Sequence, residues 1–145
     1  MAAVDVIDRY LAELEEADTR RLSHTEWGLT LPPEAAGGRP LEVGLRVADG
    51  LLRAQAFVAP YDEAYDPWGF LFVNRRTRLV RFACTGSGDI WVHGDVPVAG
   101  LDERQVDRLL GLVVEAAAGA RDYARSARGT TPPRPTSSRL PGDEG

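Results

Sequence analysis

Lysine is missing altogether: all 17 basic residues of this 145-residue chain are arginine. That removes every mechanism that depends on a lysine amine, as nucleophile or as Schiff-base former. Sulfur is nearly absent, with one methionine and one cysteine, Cys84. A lone cysteine excludes an internal disulfide and suits a reducing compartment. Only two histidines, His24 and His93, are present. No apolar run approaches the length of a membrane span. The N-terminal stretch, MAAVDVIDRYLAELEEAD, has acids where a signal peptide needs an apolar core. These absences predict a cytoplasmic protein with no membrane partner. A net charge of −5 and a pI near 5.0 argue against nucleic acid, because phosphate neutralisation needs a basic surface.

Charge is divided unevenly. Residues 1–66 hold 13 acids against 6 arginines, net −7, whereas residues 67–125 hold 7 acids against 8 arginines, net +1. The acidic front half reads first as a solvated surface and second as a field that steers a basic partner.

Periodicity supplies the elements. Val4, Ile7, Leu11 and Leu14 share one face of a helix over residues 3–17. Acids at its C-terminal end oppose the helix dipole and predict fraying there. Trp27, Leu29 and Leu31 alternate in a strand that Pro32-Pro33 ends, and the following PPEAAGGRP loop reads as mobile. Leu41, Val43, Leu45 and Val47 give a second strand. Asp49-Gly50 turns it into a third, with Leu52, Ala54 and Ala56 on one face and Arg53, Gln55 and Phe57 on the other. Asp66-Pro67 reads as the cap and first residue of a short helix that contains Trp68, Leu71 and Phe72 and ends near Arg75. A fourth strand over residues 78–84 and a fifth over residues 89–96 flank Gly86-Ser87-Gly88. Asp102 and Gln105 form a capping box for a last helix that runs to about Arg125, with a stripe of Val106, Leu109, Leu110, Val113 and Ala117. The composition of residues 126–145 cannot bury a core and predicts a disordered tail. The expected architecture is therefore α+β. It is a two-layer domain over residues 1–125, with a five-stranded antiparallel sheet, helices on one face, and the order α-β-β-β-α-β-β-α.

Few residues suggest chemistry. His24 with Glu26, or His93 with Asp95, would share a strand face, but no zinc-type spacing is present. Cys84 and His93 suggest a nucleophile and base across a hairpin, against which Cys84 reads as a buried strand residue. Asp62, Glu63 and Asp66 read as a solvated loop rather than a cation site. The better candidates lie around the short helix. Arg75, Arg76, Arg78 and Arg81 form a basic cluster able to pair carboxylates or phosphates. Tyr61, Tyr65 and Trp68 are interface-type aromatics, with Trp68 equally readable as core beneath the helix. Pro132-Pro133-Arg134-Pro135 has a PxxP spacing but reads as part of the tail.

The stretch from Thr85 to Val98, TGSGDIWVHGDVPV, carries the clearest family signature. Together with Tyr10-Leu11, Trp27-Gly28-Leu29-Thr30-Leu31-Pro32, Ala56-Phe57-Val58, Asn74-Arg75-Arg76 and Val106-Asp107-Arg108-Leu109-Leu110-Gly111, it resembles the YbjN-like family of bacterial proteins. The all-arginine composition is similar to that of actinobacterial members. The chain departs from the family pattern at Pro60-Tyr61-Asp62-Glu63, where basic residues are expected. The resemblance implies the fold of type III secretion chaperones, a homodimer, binding to other proteins, and no catalytic residues; two histidines and one cysteine without ligand spacing predict no metal, and no cofactor is expected. The functional expectation is a non-enzymatic, chaperone-like adaptor or regulator that captures a segment of a partner protein. The partner-binding candidates are Tyr61, Tyr65, Trp68, Arg75, Arg76 and Arg78. The alternative is a sensor that binds a small anionic ligand through the arginine cluster.

Overall fold

The first helix, α1 (Ala3–Glu13), buries Val6, Ile7 and Leu11 and stops before the expected end at residue 17. No basic residue stands in its last turn, and Glu13, Glu15 and Glu16 meet the negative end of the dipole. The computed structural model describes residues 2–129, and the strands that follow form one antiparallel sheet in the order β1-β2-β3-β4-β6-β5. These are β1 (Asp18–Ser23), β2 (Glu26–Leu31), β3 (Leu41–Ala48), β4 (Leu51–Ala59), β5 (Val80–Cys84) and β6 (Ile90–Pro97). The sheet has six strands rather than five. The extra strand, β1, reads DTRRLS and is exposed at every position, so it carries no apolar alternation to betray it. It is an edge strand held by its arginines. Arg20 reaches Thr30 (3.2 Å) and Glu42 (2.7 Å), and Arg21 reaches Asp8 of α1 (2.6 Å).

The Asp49-Gly50 turn has φ of 54° and 75°, the two positive values that a tight hairpin requires. It fixes the register in which Leu52, Ala54 and Ala56 face the core beside Val47, Leu45 and Val43. α2 (Pro67–Asn74) lies along β5, and α3 (Glu103–Gly129) packs across β4, β6 and β5 with α1 beside it. Asp102 and Gln105 form the reciprocal capping box, each bond 2.9 Å. The stripe of Val106, Leu109, Leu110, Val113 and Ala117 is buried throughout. The Tyr10 hydroxyl donates to Asp107 (2.6 Å), joining α1 to α3; burial and then that carboxylate push its pKa well above the usual phenol range.

α3 continues past Arg125, so residues 126–129, assigned to the tail from composition, are helical. The remainder of that tail, PxxP spacing included, lies outside the described residues. One stripe position of α3 is unusual. Arg121 is only 6% exposed and donates to the carbonyls of Ala36 (2.8 Å), Arg39 (2.7 Å) and Pro40 (3.0 Å). The loop between β2 and β3, expected to be mobile, is thus tied down by a buried guanidinium.

Candidate functional site

The family-signature hairpin is built for packing. A Cβ at Gly88, whose φ is +89°, would stand 2.8 Å from the Tyr61 ring, and Asp89 accepts the Tyr61 backbone N–H (3.0 Å). Ile90 and Val92 enter the core, while Trp91 meets Phe57 edge-on at 5.7 Å on the open face. Gly94 leaves room for the chain that enters β5: a Cβ there would lie 2.5 Å from the Leu79 carbonyl oxygen and 2.8 Å from Val80. Leu79 itself has φ +64°, and Val80 N–H bonds back to Arg78 O at 2.7 Å. This is a γ-turn of the positive-φ hand, rare and strained for a bulky residue. It sets Arg78 just ahead of β5.

α2 follows from a cap and a proline, as expected: Asp66 accepts from Trp68 N–H (3.0 Å), and Pro67 is the first helical residue. The helix is apolar on nearly every side, which an eight-residue surface helix cannot bury. Phe70 turns inward to meet Phe82 (5.2 Å), Tyr123 (5.5 Å) and Tyr65 (6.5 Å), ring to ring. Trp68 (53% exposed), Leu71 and Phe72 face outward, and Val73 is exposed on the side toward β5 and α3. At its end, the Asn74 side chain donates to Phe82 O (3.0 Å) and accepts from Phe82 N–H (2.7 Å). An amide thereby pairs with the outer edge of β5 as a neighbouring strand would.

Between α2, β5 and α3 lies a groove of about 530 Å³. Phe70, Val73, Val80, Phe82, Leu112, Ala116, Ala120 and Tyr123 give it apolar walls. Arg76, Thr77, Arg78 and Glu115 supply its polar groups. The Arg76 guanidinium sits 4.9 Å over the Phe72 ring. Among the described residues, neither Arg76 nor Arg78 has a carboxylate within ion-pair distance.

The expected site residues are thus divided. Trp68 lies in the first turn of α2, Arg75 caps its C-terminus, and Arg76 and Arg78 both line the groove. Tyr61 is exposed but held against the Gly88 turn. Tyr65 is 8% exposed and packs behind Phe70 and Tyr123, so it offers no surface to a partner. Arg81 pairs with His93 in the β5–β6 ladder and leaves the cluster for the open sheet face. Sequence reasoning passed over Leu71, Phe72 and Val73 as exposed residues; the signal was an apolar run too dense for one buried stripe.

Other candidate chemistry is not assembled. Cys84 is exposed, against the expectation of a core thiol, because it ends β5 beyond the helical cover. It opposes Ile90 while His93 opposes Arg81, so the thiol and the imidazole sit on opposite faces. Asp62 accepts from Ala64 N–H (2.9 Å) and Asp66 caps α2, which makes both acids turn-formers. Among the described residues, no three His, Cys, Asp or Glu side chains come together, and no helix is long and apolar enough to cross a membrane.

Residues 71–125, which contain the end of α2, β5, β6 and most of α3, match the YbjN family, described as "Putative bacterial sensory transduction regulator". Uncharacterised proteins of Mycobacterium tuberculosis and Mycobacterium bovis are 34% identical over 87 residues, 57% of this chain and 48% of theirs. The chain spans about half the length of these curated relatives. Among solved structures, the type III secretion chaperone SycH of Yersinia pestis, in complex with a fragment of YscM2, aligns with a TM-score of 0.57 at 16% identity, over 81% of this chain and 98% of that one. The HopA1–SchA chaperone–effector complex gives 0.62 at 14%, over 81% and 91%. YbjN of E. coli gives 0.60 at 13%, over 83% and 92%. These identities speak to fold alone. The resemblance read from the hairpin is therefore matched over residues 71–125 by the YbjN family, and the chain is similar in fold to YbjN and to the type III secretion chaperones.

Proposed function

We propose that the chain is a non-enzymatic, chaperone-like adaptor or regulator of the cytoplasm, which binds a segment of a partner protein on the outer surface of α2. The observation that carries this reading is the exposure of Trp68, Leu71 and Phe72 on the side of one short helix away from the groove, edged by Arg75 and Arg76. Exposed apolar patches of this kind mark protein interfaces, and their energy concentrates in aromatic and arginine side chains. The structural neighbours in complex with protein partners support the same reading. Homodimer formation belongs to the proposal.

The test pairs Leu71→Ser with Phe72→Ser, two exposed positions whose replacement leaves the core intact. The double variant should melt with the wild type yet fail to retain a partner that wild-type protein captures from its native cell. Undiminished retention would sink the α2 surface as the site. Light scattering separates the outcomes: a wild-type dimer turned monomeric by the same changes reassigns the patch to self-association.

A second reading, sensing of a small anionic ligand, is favoured by one observation: Arg76 and Arg78 stand on the groove without carboxylate partners among the described residues.

A further inference from the structure

We propose that the groove between α2, β5 and α3 binds a free long-chain carboxylate, with the acyl chain along α3 and the carboxylate on Arg76 and Arg78. The inference rests on the reading of an anionic ligand at the arginine cluster and names the ligand's other half.

Size comes first. About 530 Å³ falls within the range of small-molecule sites, which are largely apolar with a few convergent polar groups. The α3 wall from Leu112 to Tyr123 is about 16 Å long at 1.5 Å per residue, the reach of an extended acyl chain. Phe70 meets both Phe82 and Tyr123 edge-on, so the aromatic part of the lining is braced through one central ring before any ligand arrives. Ala116, Gly119 and Ala120 keep the α3 side low, and a Cβ at Gly119 meets nothing within 4 Å. An acyl chain can lie there without displacing protein.

Polarity then decides the headgroup. Two guanidiniums against the single carboxylate of Glu115 leave the lining net positive. Thr77 directs its hydroxyl to Asn74 O (3.1 Å), so among the described residues the two arginines are the unpaired side-chain donors at this end. The guanidinium fork matches a carboxylate in two-point contact. The γ-turn at Leu79 fixes where Arg78 begins, and Phe72 props Arg76 at 4.9 Å. A phosphate or short carboxylate would use the arginines and leave the walls wet, whereas a neutral alkane would leave the arginines unused. One ligand uses both: an anion with an acyl tail.

The experiment is calorimetric titration of the full chain with dodecanoate below its micellar range, alongside dodecanol, acetate, inorganic phosphate and phosphatidylglycerol vesicles. Dodecanoate should bind one per groove, and dodecanol and acetate at least tenfold more weakly. An Arg76→Gln, Arg78→Gln double variant should lose roughly tenfold or more for dodecanoate while its affinity for dodecanol is unchanged. Gly119→Leu fills the groove from a position with open space on a helix that gains propensity. It should abolish dodecanoate binding without lowering the melting temperature. Wild-type affinity in Gly119→Leu would overturn the inference. So would binding of acetate or phosphate as tight as that of dodecanoate, which would leave the anion reading standing. No saturable binding of any anion would remove both, and binding to vesicles alone would assign the surface to a membrane instead.

Discussion

The hydroxyl of Tyr65 is enclosed among Phe70 and Tyr123 with no hydrogen-bond partner among the described residues, although the neighbouring Tyr123 hydroxyl accepts Asp66 N–H at 3.1 Å. A buried donor without a partner is a liability, so Tyr65→Phe should be neutral or stabilising by up to about 1 kcal/mol in urea denaturation. A loss above that range would mean that the hydroxyl has a partner in solution. His93 is another such group: its Nδ1 is enclosed and has no hydrogen-bond partner among the described residues. Burial first, then the Arg53 and Arg81 charges, push its pKa below the ordinary 6.5, while Asp95 pulls it upward. Asp95 is itself held low, chiefly by the hydrogen bond from Arg53. The unfolded chain takes up a proton at His93 near 6.5 and the folded chain resists it. This stability is therefore complete above about pH 6.5 and declines as pH falls below that value. The Asp95 contribution is lost in the same direction, at lower pH, through its depressed folded pKa. Unfolding free energy should fall from about pH 7 to about pH 5, and His93→Gln should flatten that fall. An unchanged slope in His93→Gln would assign the acid sensitivity to other groups.

Elements whose side chains alternate or recur were legible in the sequence, as was α2 from its Asp66-Pro67 cap, whereas β1 was not. β2, β3 and α3 could be read because Trp27, Leu29 and Leu31, then Leu41, Val43 and Leu45, then Val106, Leu109 and Val113 each face the core. β1 was not, because it is placed by Arg20 and Arg21 and by backbone pairing to β2, which leave no periodic mark. β5 is the opposite edge, and it is guarded by a device that composition does not show. Asn74 occupies both outward backbone groups of Phe82, blocking the pairing that an open edge invites. Asn74→Leu removes both hydrogen bonds and leaves two backbone groups unpaired. It should cost about 1–3 kcal/mol and raise concentration-dependent association, read by light scattering. Asn74→Asp keeps only the acceptor and should fall between. If Asn74→Leu were as stable and as monodisperse as the wild type, the amide would be no more than a surface group.

At the scale of the molecule, the fold was legible from the order of its patterned elements, whereas the site was legible only in part. Sequence placed Trp68, Arg75, Arg76 and Arg78 near one helix. It could not show that Tyr65 turns inward, that Arg81 crosses to the open face, or that the groove needs Leu112 to Tyr123 from the distant end of the chain. Those are consequences of which helix covers which strand, and they meet at Gly94. This residue sits where β6 passes beneath the Leu79 γ-turn and against Leu109 of α3, whose side chain would lie 3.2 Å from an added Cβ. The Leu79 carbonyl, at 2.5 Å, is backbone and cannot rotate away. Gly94→Ala must therefore lift the start of β5, and with it Arg78 and the rim of the groove. Overpacking of this kind costs about 1–3 kcal/mol, and the rigidity of the obstacle places this change at about the upper end. The consequence should extend beyond stability: amide exchange at Val80 and Phe82 should accelerate well beyond that of β2 and β3, which are remote from the contact. Uniform acceleration across the sheet would show that Gly94 supports the fold as a whole. Acceleration confined to β5 and the Arg78 turn would show that this glycine holds the entry to the groove in place.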